Sequence, residues 1–544
     1  MGNPRQGPML ERARWFDPKK RNKNYDDFGD AYDDSKYHEL AAKWNKDTKD
    51  GQDYLRFVKQ ASKTQWIHLR LLADFMQIGK IPREWNDEEL SMPSKESVKI
   101  CVLEYFQNDR QPEVVRYIET AHSSKPGSET KNLEAQFEAQ VNNEASFRLY
   151  VVEDLSKDVI ELLGTKLGIE PDFFRAHIVD YAWYNIRDRW RDNQPLELVR
   201  RRRDWWQIRY VAARYFEDEE ALNDAAREAK ENFNILRRPD NDKSRGWWDI
   251  SGPASTGDRY KSAAVALTRS RATFWLKPTV AENDTAIGVL LLDPTVSNGF
   301  PLWRGHGNFH PVPWPSTVQD KPAEWPSWTS PSHEDSAKRS FFEDFVYWAR
   351  QPGLSALGLE HAPKEQVPVL VLLNLVGSEW LIMCEYIKTR LNQIDMETID
   401  PSHLSDKKLI DTTLEKLHIW RRLIPLYREM VSETLQHFFS FSLSKLNKAQ
   451  PEDPSGQPST AGCPHCPQAA ATLEMWDIRA YEEDYKLVLA RLEEYQSRID
   501  RLTSVVTAVM AVEDTRRAIM DARNIGFLTW LATFFIPFGV FSGI

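Results

Sequence analysis

Residues Ile525–Ile544 read IGFLTWLATFFIPFGVFSGI and carry no charged side chain, in a chain in which 28% of residues are charged. At a rise of about 1.5 Å per residue, twenty helical residues span roughly 30 Å, the hydrocarbon thickness of a bilayer. Thirteen of the twenty are Ala, Val, Ile, Leu, Phe or Trp. The others are Gly, Thr, Ser and one Pro, all tolerated where helices pack in lipid. The stretch is therefore expected to enter a membrane. Pro537 keeps a buried hairpin or core helix open as the alternative, because proline interrupts helices in water; within a membrane, neighbouring helices satisfy the freed carbonyl.

The chain reaches this segment through a periodic helix. Tyr481, Tyr485, Val488, Leu492, Tyr495, Ile499, Leu502, Val506 and Val509 recur at alternating spacings of four and three, a heptad seam. Charged residues such as Glu482, Glu483, Arg491, Glu494, Arg498 and Arg501 fill the other positions, as on a solvated face. No Gly or Pro lies between Ala469 and Asn524, so one helix can run from near Leu473 into the membrane, a rod on the order of 100 Å. Such a helix must bury its seam, either against other helices of this chain or against other copies of itself. Self-association is the expected solution and an intramolecular bundle the alternative. Arg516, Arg517 and Arg523 outnumber Asp521 near the membrane entry and place the rod on the cytoplasmic side.

The run Thr529-Trp-Leu-Ala-Thr533-Phe-Phe-Ile-Pro537-Phe-Gly-Val-Phe-Ser-Gly543-Ile544 resembles the first transmembrane helix of the CorA family of magnesium channels. The likeness lies in the Thr, the Ile-Pro pair and the small-residue Gly-Ile ending, and in the setting, since that family joins a large cytosolic α/β domain to the membrane through a long stalk helix. Upstream, Leu149–Leu155, Phe173–Tyr184 and Gly288–Pro294 (GVLLLDP) are similar to the cytosolic domain of the large fungal CorA-like branch. The resemblance covers about Phe147 to the end and is specific in the final seventy residues or so. It implies a pentamer whose first transmembrane helices line a pore. It also implies a Gly-Met-Asn signature within a couple of residues of Ile544 and a second transmembrane helix, neither of which the sequence contains; a transporter truncated here is expected not to conduct.

Composition limits the other readings. A chain of 544 residues exceeds one ordinary core. A formal net charge of −10 disfavours a general nucleic-acid binder but suits an acidic body that gathers cations near a pore. Four cysteines, Cys101, Cys384, Cys463 and Cys466, provide no disulfide framework and fit a reducing compartment. The N-terminal MGNPRQGPMLERARWF lacks the apolar region of a secretory signal, and Gln6 stands where a myristoylation motif wants Ser or Thr.

The expected organisation is an α/β cytosolic domain, then a helical region, then a stalk helix entering the membrane. Residues 1–60 read as a mobile polar tail, with Lys19, Lys20, Arg21 and Lys23 followed by Asp26, Asp27, Asp30, Asp33 and Asp34; the acidic group lacks the spacing and glycine of a calcium loop. A mixed α/β domain follows over 61–310, with strands expected at Phe147–Val152, Trp206–Tyr215, Ala272–Leu276 and Ala286–Leu292 and a helix at Asp154–Leu167. A Pro- and Trp-rich loop covers 311–335 and a helical region 336–448, with helices at Phe341–Trp348, Val369–Arg390 and Thr412–Leu446. A Pro-rich linker (449–471), the stalk (472–524) and the transmembrane helix (525–544) complete the chain.

Enzymatic signals are weak. Cys463-Pro-His-Cys466 has the form of a thiol oxidoreductase centre but sits in a Pro/Ser/Gly linker, and with His465 it supplies only part of a zinc site. His306 and His310 are flanked by Gly305, Gly307 and Pro311, which oppose the helix that would aim both at one metal. Arg200–Arg203 followed by Trp205 and Trp206 resembles a phosphate-and-stacking patch, but in an acidic chain it reads better as a solvated edge or an intersubunit salt-bridge surface. No phosphate-binding glycine loop, nucleophile elbow or catalytic constellation is present, and no cofactor is expected.

The resulting expectation is a homo-oligomeric, pentameric CorA-like membrane protein for passive transport of divalent cations, chiefly magnesium, with most of the chain cytoplasmic. Helical spacing puts Ile525, Leu528, Ala532, Ile536, Gly539 and Gly543 on one pore-facing stripe. Leu528 and Ile536 would form apolar constrictions, while Gly539 and Gly543 would leave room for hydrated ions. The resemblance matches Leu528, Ile536 and Gly543 to pore positions; a Thr is common where Gly539 stands. The alternative is a tail-anchored cytosolic interaction protein without transport activity.

Overall fold

The computed structural model describes residues 52–64, 66–78, 98–106, 113–119, 145–179, 196–200, 202–216, 219–235, 237, 239–242, 264–277, 285–302, 340–350, 364–399, 407–442 and 478–543. Residues 1–50, the Pro/Trp-rich loop, the Pro-rich linker, Cys463, Cys466, His306 and His310 lie outside them. The described residues form an α/β sheet domain followed by a helical region.

Eight strands make one mixed sheet: β1 (Lys99–Phe106), β2 (Glu113–Glu119), β3 (Ala145–Glu153), β4 (Trp205–Phe216), β5 (Pro239–Asp242), β6 (Ala264–Lys277), β7 (Ala286–Leu292) and β8 (Phe300–Pro301). Their order is β2-β1-β3-β7-β6-β4-β8, with β5 beside the first half of β6. All pairs are antiparallel except β3 and β7, which run parallel with Leu149 opposite Gly288. Gly288 is required there: a Cβ would stand 2.8 Å from the Phe147 ring.

Both faces of the sheet are covered, which explains why β7 (AIGVLLL) is apolar on every residue. In β1, Cys101, Leu103 and Tyr105 join the core shared with the C-terminal helices, while Ile100 and Val102 face the N-terminal ones. The N-terminal layer is α1 (Asp53–Lys63), α2 (Arg70–Ile78), α3 (Lys157–Leu167) and α4 (Pro171–Ile178). The first helix begins inside the span that composition assigns to a tail. Its first turn is capped from a distance, because Glu161 on α3 accepts from the Tyr54 and Leu55 amides at 2.7 and 2.9 Å. In α3, Ser156 caps the start by accepting from Val159 N, and Gly168 closes the end with φ +67°, a conformation natural to glycine. Beyond these lie the single turn α5 (Glu197–Arg200) and α6 (Glu219–Asn232).

The opposite layer contains α7 (Phe341–Arg350), α8 (Val367–Ile399), α9 (Lys407–Glu433), a π-helical stretch (Thr434–Ser442) and α10 (Ile478–Ser542). A capping box starts α7: Ser340 Oγ accepts from Glu343 N, and Glu343 Oε2 accepts from Ser340 N. Among the described residues α8 is the one helix long and apolar enough to cross a membrane, and 67% of its apolar window is buried inside the fold, as in a core helix; the described part of the span expected at 525–544 is not a second one. It forms the centre of the helical layer, with Leu373, Val376, Trp380 and Ile387 fully enclosed.

Candidate functional site

Helix α10 is 65 residues long and unbroken, Pro537 included. Its heptad seam is occupied by the chain itself. Tyr485, Val488, Leu492, Tyr495, Ile499, Leu502 and Val506 are buried in the core that holds α8 and α9. Polar contacts lock the same faces: Arg498 donates to Asn392 (2.7 Å) and Asp395 (2.8 Å) on α8, and Arg428 on α9 donates to Glu493 (2.8 Å). Expecting other copies to cover this seam is thus unnecessary, since two helices of the same chain already do so.

The packed part of α10 ends at Met510, and beyond it the helix is largely uncovered by described residues. Ile525, Phe527, Leu528, Trp530, Phe534, Phe535 and Ile536 are each 54–65% exposed. Burying a large apolar side chain contributes about 1.5–3 kcal/mol, so leaving seven such residues in water costs on the order of ten kcal/mol. The three hydroxyls of the segment are bonded to its own backbone. Thr529 Oγ1 donates to Ile525 O (2.8 Å), Thr533 Oγ1 to Thr529 O (2.7 Å) and Ser542 Oγ to Gly539 O (3.3 Å). The helix therefore offers mainly carbon outward and keeps its hydroxyls bonded inward.

Ile525, Leu528, Ala532, Ile536 and Gly539 lie in this helix and Gly543 in the turn that follows. Their spacings of three and four over eighteen residues make five turns, so they share one face over about 27 Å. All six are exposed in the single chain, and a Cβ on Gly539 would meet nothing within 4 Å.

A second constellation, which the sequence reading missed, closes the C-terminal edge of the parallel pair. Asp154 directly follows β3 and Asp293 directly follows β7. Asp293 accepts from Arg237 Nε (2.8 Å), Arg237 Nη2 (3.0 Å) and Arg271 N (2.9 Å). Arg237 also donates to the carbonyls of His177 and Ile178, and Arg271 Nη1 to that of Ala176 (2.8 Å), so two guanidinium groups satisfy the end of α4. Asp154, strained at φ +62°, accepts from Asn234 N and Ile235 N, both at 2.8 Å. Burial raises the Asp154 carboxyl well above its ordinary range. Burial also opposes ionisation of Asp293, but the Arg237 guanidinium holds its carboxyl below the ordinary value. His177 is kept neutral, lowered to about 3 by burial. These groups are sealed and densely paired, with His177 Nε2, 3.4 Å from Asp293 Oδ1, left without a hydrogen bond; the cluster is a brace between β7, β6, α4 and the segment after α6 rather than an open reaction centre. The signal available in sequence was an aspartate ending each apolar run, Glu153-Asp154 and Leu292-Asp293.

The basic run is similarly engaged. Arg203 stacks over Trp205 at 4.7 Å, Arg200 reaches His437, and Arg209 pairs with Glu433. Cys101 and Cys384 are buried free thiols, each pushed up to about 12 by burial. Among the described residues no group of three His, Cys, Asp or Glu side chains is placed to hold a metal ion.

A comparison of the chain with protein-family models finds no match, and a comparison with curated proteins finds none either.

Proposed function

We propose that the chain is a CorA-like membrane protein for passive transport of divalent cations, chiefly magnesium, working as a homo-oligomer, a pentamer, with its sheet domain and helical layer in the cytoplasm. The observation that carries the reading is the bare end of α10: large apolar side chains stand exposed on a helix whose hydroxyls are already bonded to its own carbonyls. Lipid covers such a surface without further polar partners.

Transport follows from ion hydration. Mg²⁺ dehydrates reluctantly, so a pore passes it with much of its water, using polar groups as outer-shell partners and apolar rings as gates. The stripe Ile525, Leu528, Ala532, Ile536, Gly539 and Gly543 would face the axis, Leu528 and Ile536 forming the constrictions. The resemblance places the ion-selecting Asn and a second membrane helix after Ile544.

The test is magnesium-dependent growth of a transport-deficient host carrying the complete reading frame. Restored growth at low magnesium, altered by Leu528→Ala or Ile536→Ala, supports transport. No rescue by a membrane-inserted, five-copy protein overturns it.

A second reading, a tail-anchored cytosolic interaction protein, draws on the occupied seam: with Tyr485 to Val506 covered by α8 and α9, the rod does not need other copies for its upper half. A monomer or dimer in detergent favours this reading, and a pentamer counts against it.

A further inference from the structure

The head of α7 meets the sheet over a buried acid. Glu153 ends β3 and is 5% exposed. It alternates with Phe147, Leu149 and Val151 along the strand, so it lies on the face packed under the C-terminal helices. One of its oxygens, Oε1, is sealed and has no hydrogen-bond partner. The other, Oε2, stands 3.5 Å from Lys99 Nζ at the start of β1. The same ammonium is 3.8 Å from Glu343 Oε1 on α7. The second oxygen of Glu343 accepts from Ser340 N at 3.1 Å and caps that helix. One lysine therefore serves two carboxyl groups, and one of these holds the first turn of α7 together.

Among the described residues, the charged and titratable groups around Glu153 are Lys99 on β1, Glu343 on α7, Asp154 next in the chain and Tyr210 on β4. The Ser340 hydroxyl joins them from the head of α7, and the residue opposite on β7 is the apolar Leu292. Strand β3 is bonded to neighbours on both edges, β1 and β7. The head of α7 rests on less: Phe341 stacks on Tyr210 with ring centroids 4.7 Å apart, and Asp344 N donates to Ser340 O at 3.0 Å as the first bond of the helix. Repulsion between Glu153 and Glu343 thus displaces the helix end and not the strand.

We propose that the first turn of α7 is a proton-controlled latch, closed on the sheet while Glu153 is neutral and released when Glu153 and Glu343 both carry charge beside the single Lys99. Release lets water reach the Glu153 carboxylate. Burial moves this carboxyl from 4.5 up to about 7, so the closed form holds the proton more tightly than the open one. Closure is then complete at low pH and weakens as the pH climbs through about 7. With the ordinary carboxyl restored on opening, the closed-to-open ratio falls about tenfold between pH 6 and pH 8.5. The latch lies in the sheet domain and does not depend on what the end of α10 meets.

The test is hydrogen exchange of the full chain in detergent micelles at pH 6 and pH 8.5, each rate divided by the intrinsic rate at that pH. Protection of the Asp344 amide in the native chain is expected to fall about tenfold across this window. Glu153→Gln, which keeps the shape of the neutral acid, should hold it level. Glu343→Gln, which can still cap the helix but carries no charge, should show a smaller fall. Residues 369–376 of α8 are the control and should stay level throughout. A level native chain, a fall undiminished in Glu153→Gln or in Glu343→Gln, or an equal fall on α8 overturns the proposal.

Discussion

Arg237 grips both carboxylate oxygens of Asp293, with Nε to Oδ2 at 2.8 Å and Nη2 to Oδ1 at 3.0 Å, and both side chains are almost wholly buried. Such a pair is costly to break, because the surviving charge stays in the interior without a partner, an effect of about 3–5 kcal/mol. Asp293→Asn should therefore lower the thermal unfolding midpoint of the sheet, followed by tryptophan fluorescence, and Arg237→Met alone should do the same. The double variant Arg237→Met/Asp293→Asn should lose clearly less than the sum of the two, whereas additivity would show that the pair is not coupled.

Glu153 gives the sheet a pH dependence. Its side chain ends β3 in the interior, with Lys99 Nζ at 3.5 Å and Glu343 across the same lysine at 3.8 Å. Burial pushes its carboxyl from 4.5 up to about 7, with Lys99 opposing and Glu343 adding to the rise. The folded state thus holds this proton at pH values where the unfolded chain has released it. Stability from this group is complete below about pH 4.5 and is lost as the pH climbs through about 7. At about 1.4 kcal/mol per pH unit the loss is roughly 3 kcal/mol. Glu153→Gln should flatten unfolding stability across that window and exceed the native chain at pH 8; an unchanged slope would assign it to other groups.

Leu492 on α10 is fully enclosed by helices of its own chain. Leu492→Ala should destabilise the helical layer by about 2–5 kcal/mol, and the loss should not vary with protein concentration. A concentration-dependent loss would mean that the seam is shared between copies.

The sheet was partly legible in the sequence. The expected strand Ala286–Leu292 coincides with β7, an uninterrupted apolar run covered on both faces; Phe147–Val152 and Trp206–Tyr215 fall within β3 and β4, where β-branched and aromatic residues outweigh Arg148, Gln207, Arg209 and Arg214. The expectation at Ala272–Leu276 found only the second half of β6; the first half carries Thr268, Arg269, Ser270 and Arg271. Strand β1 was missed because Glu104 interrupts its apolar run. That glutamate is buried against Arg148 on the neighbouring strand, at 2.8 and 2.7 Å, a pairing that depends on register and not on local pattern. Heptad spacing in α10 announced a seam but could not name its partner, since the α9 and α8 surfaces that fill it lie 65 to 112 residues away along the chain. The spacing of Ile525, Leu528, Ala532, Ile536 and Gly539 likewise fixes a shared face, while what that face meets depends on neighbours beyond one chain.

The most direct measurement is alkaline carbonate extraction of membranes from cells expressing the full chain, alongside Ala532→Arg. An arginine in the middle of a membrane helix costs about 2.5–3.5 kcal/mol. The native chain should remain in the membrane pellet, and Ala532→Arg should shift a large share into the supernatant. A native chain recovered entirely in the supernatant would contradict the proposed membrane placement of the end of α10 and, with it, the proposal of ion transport.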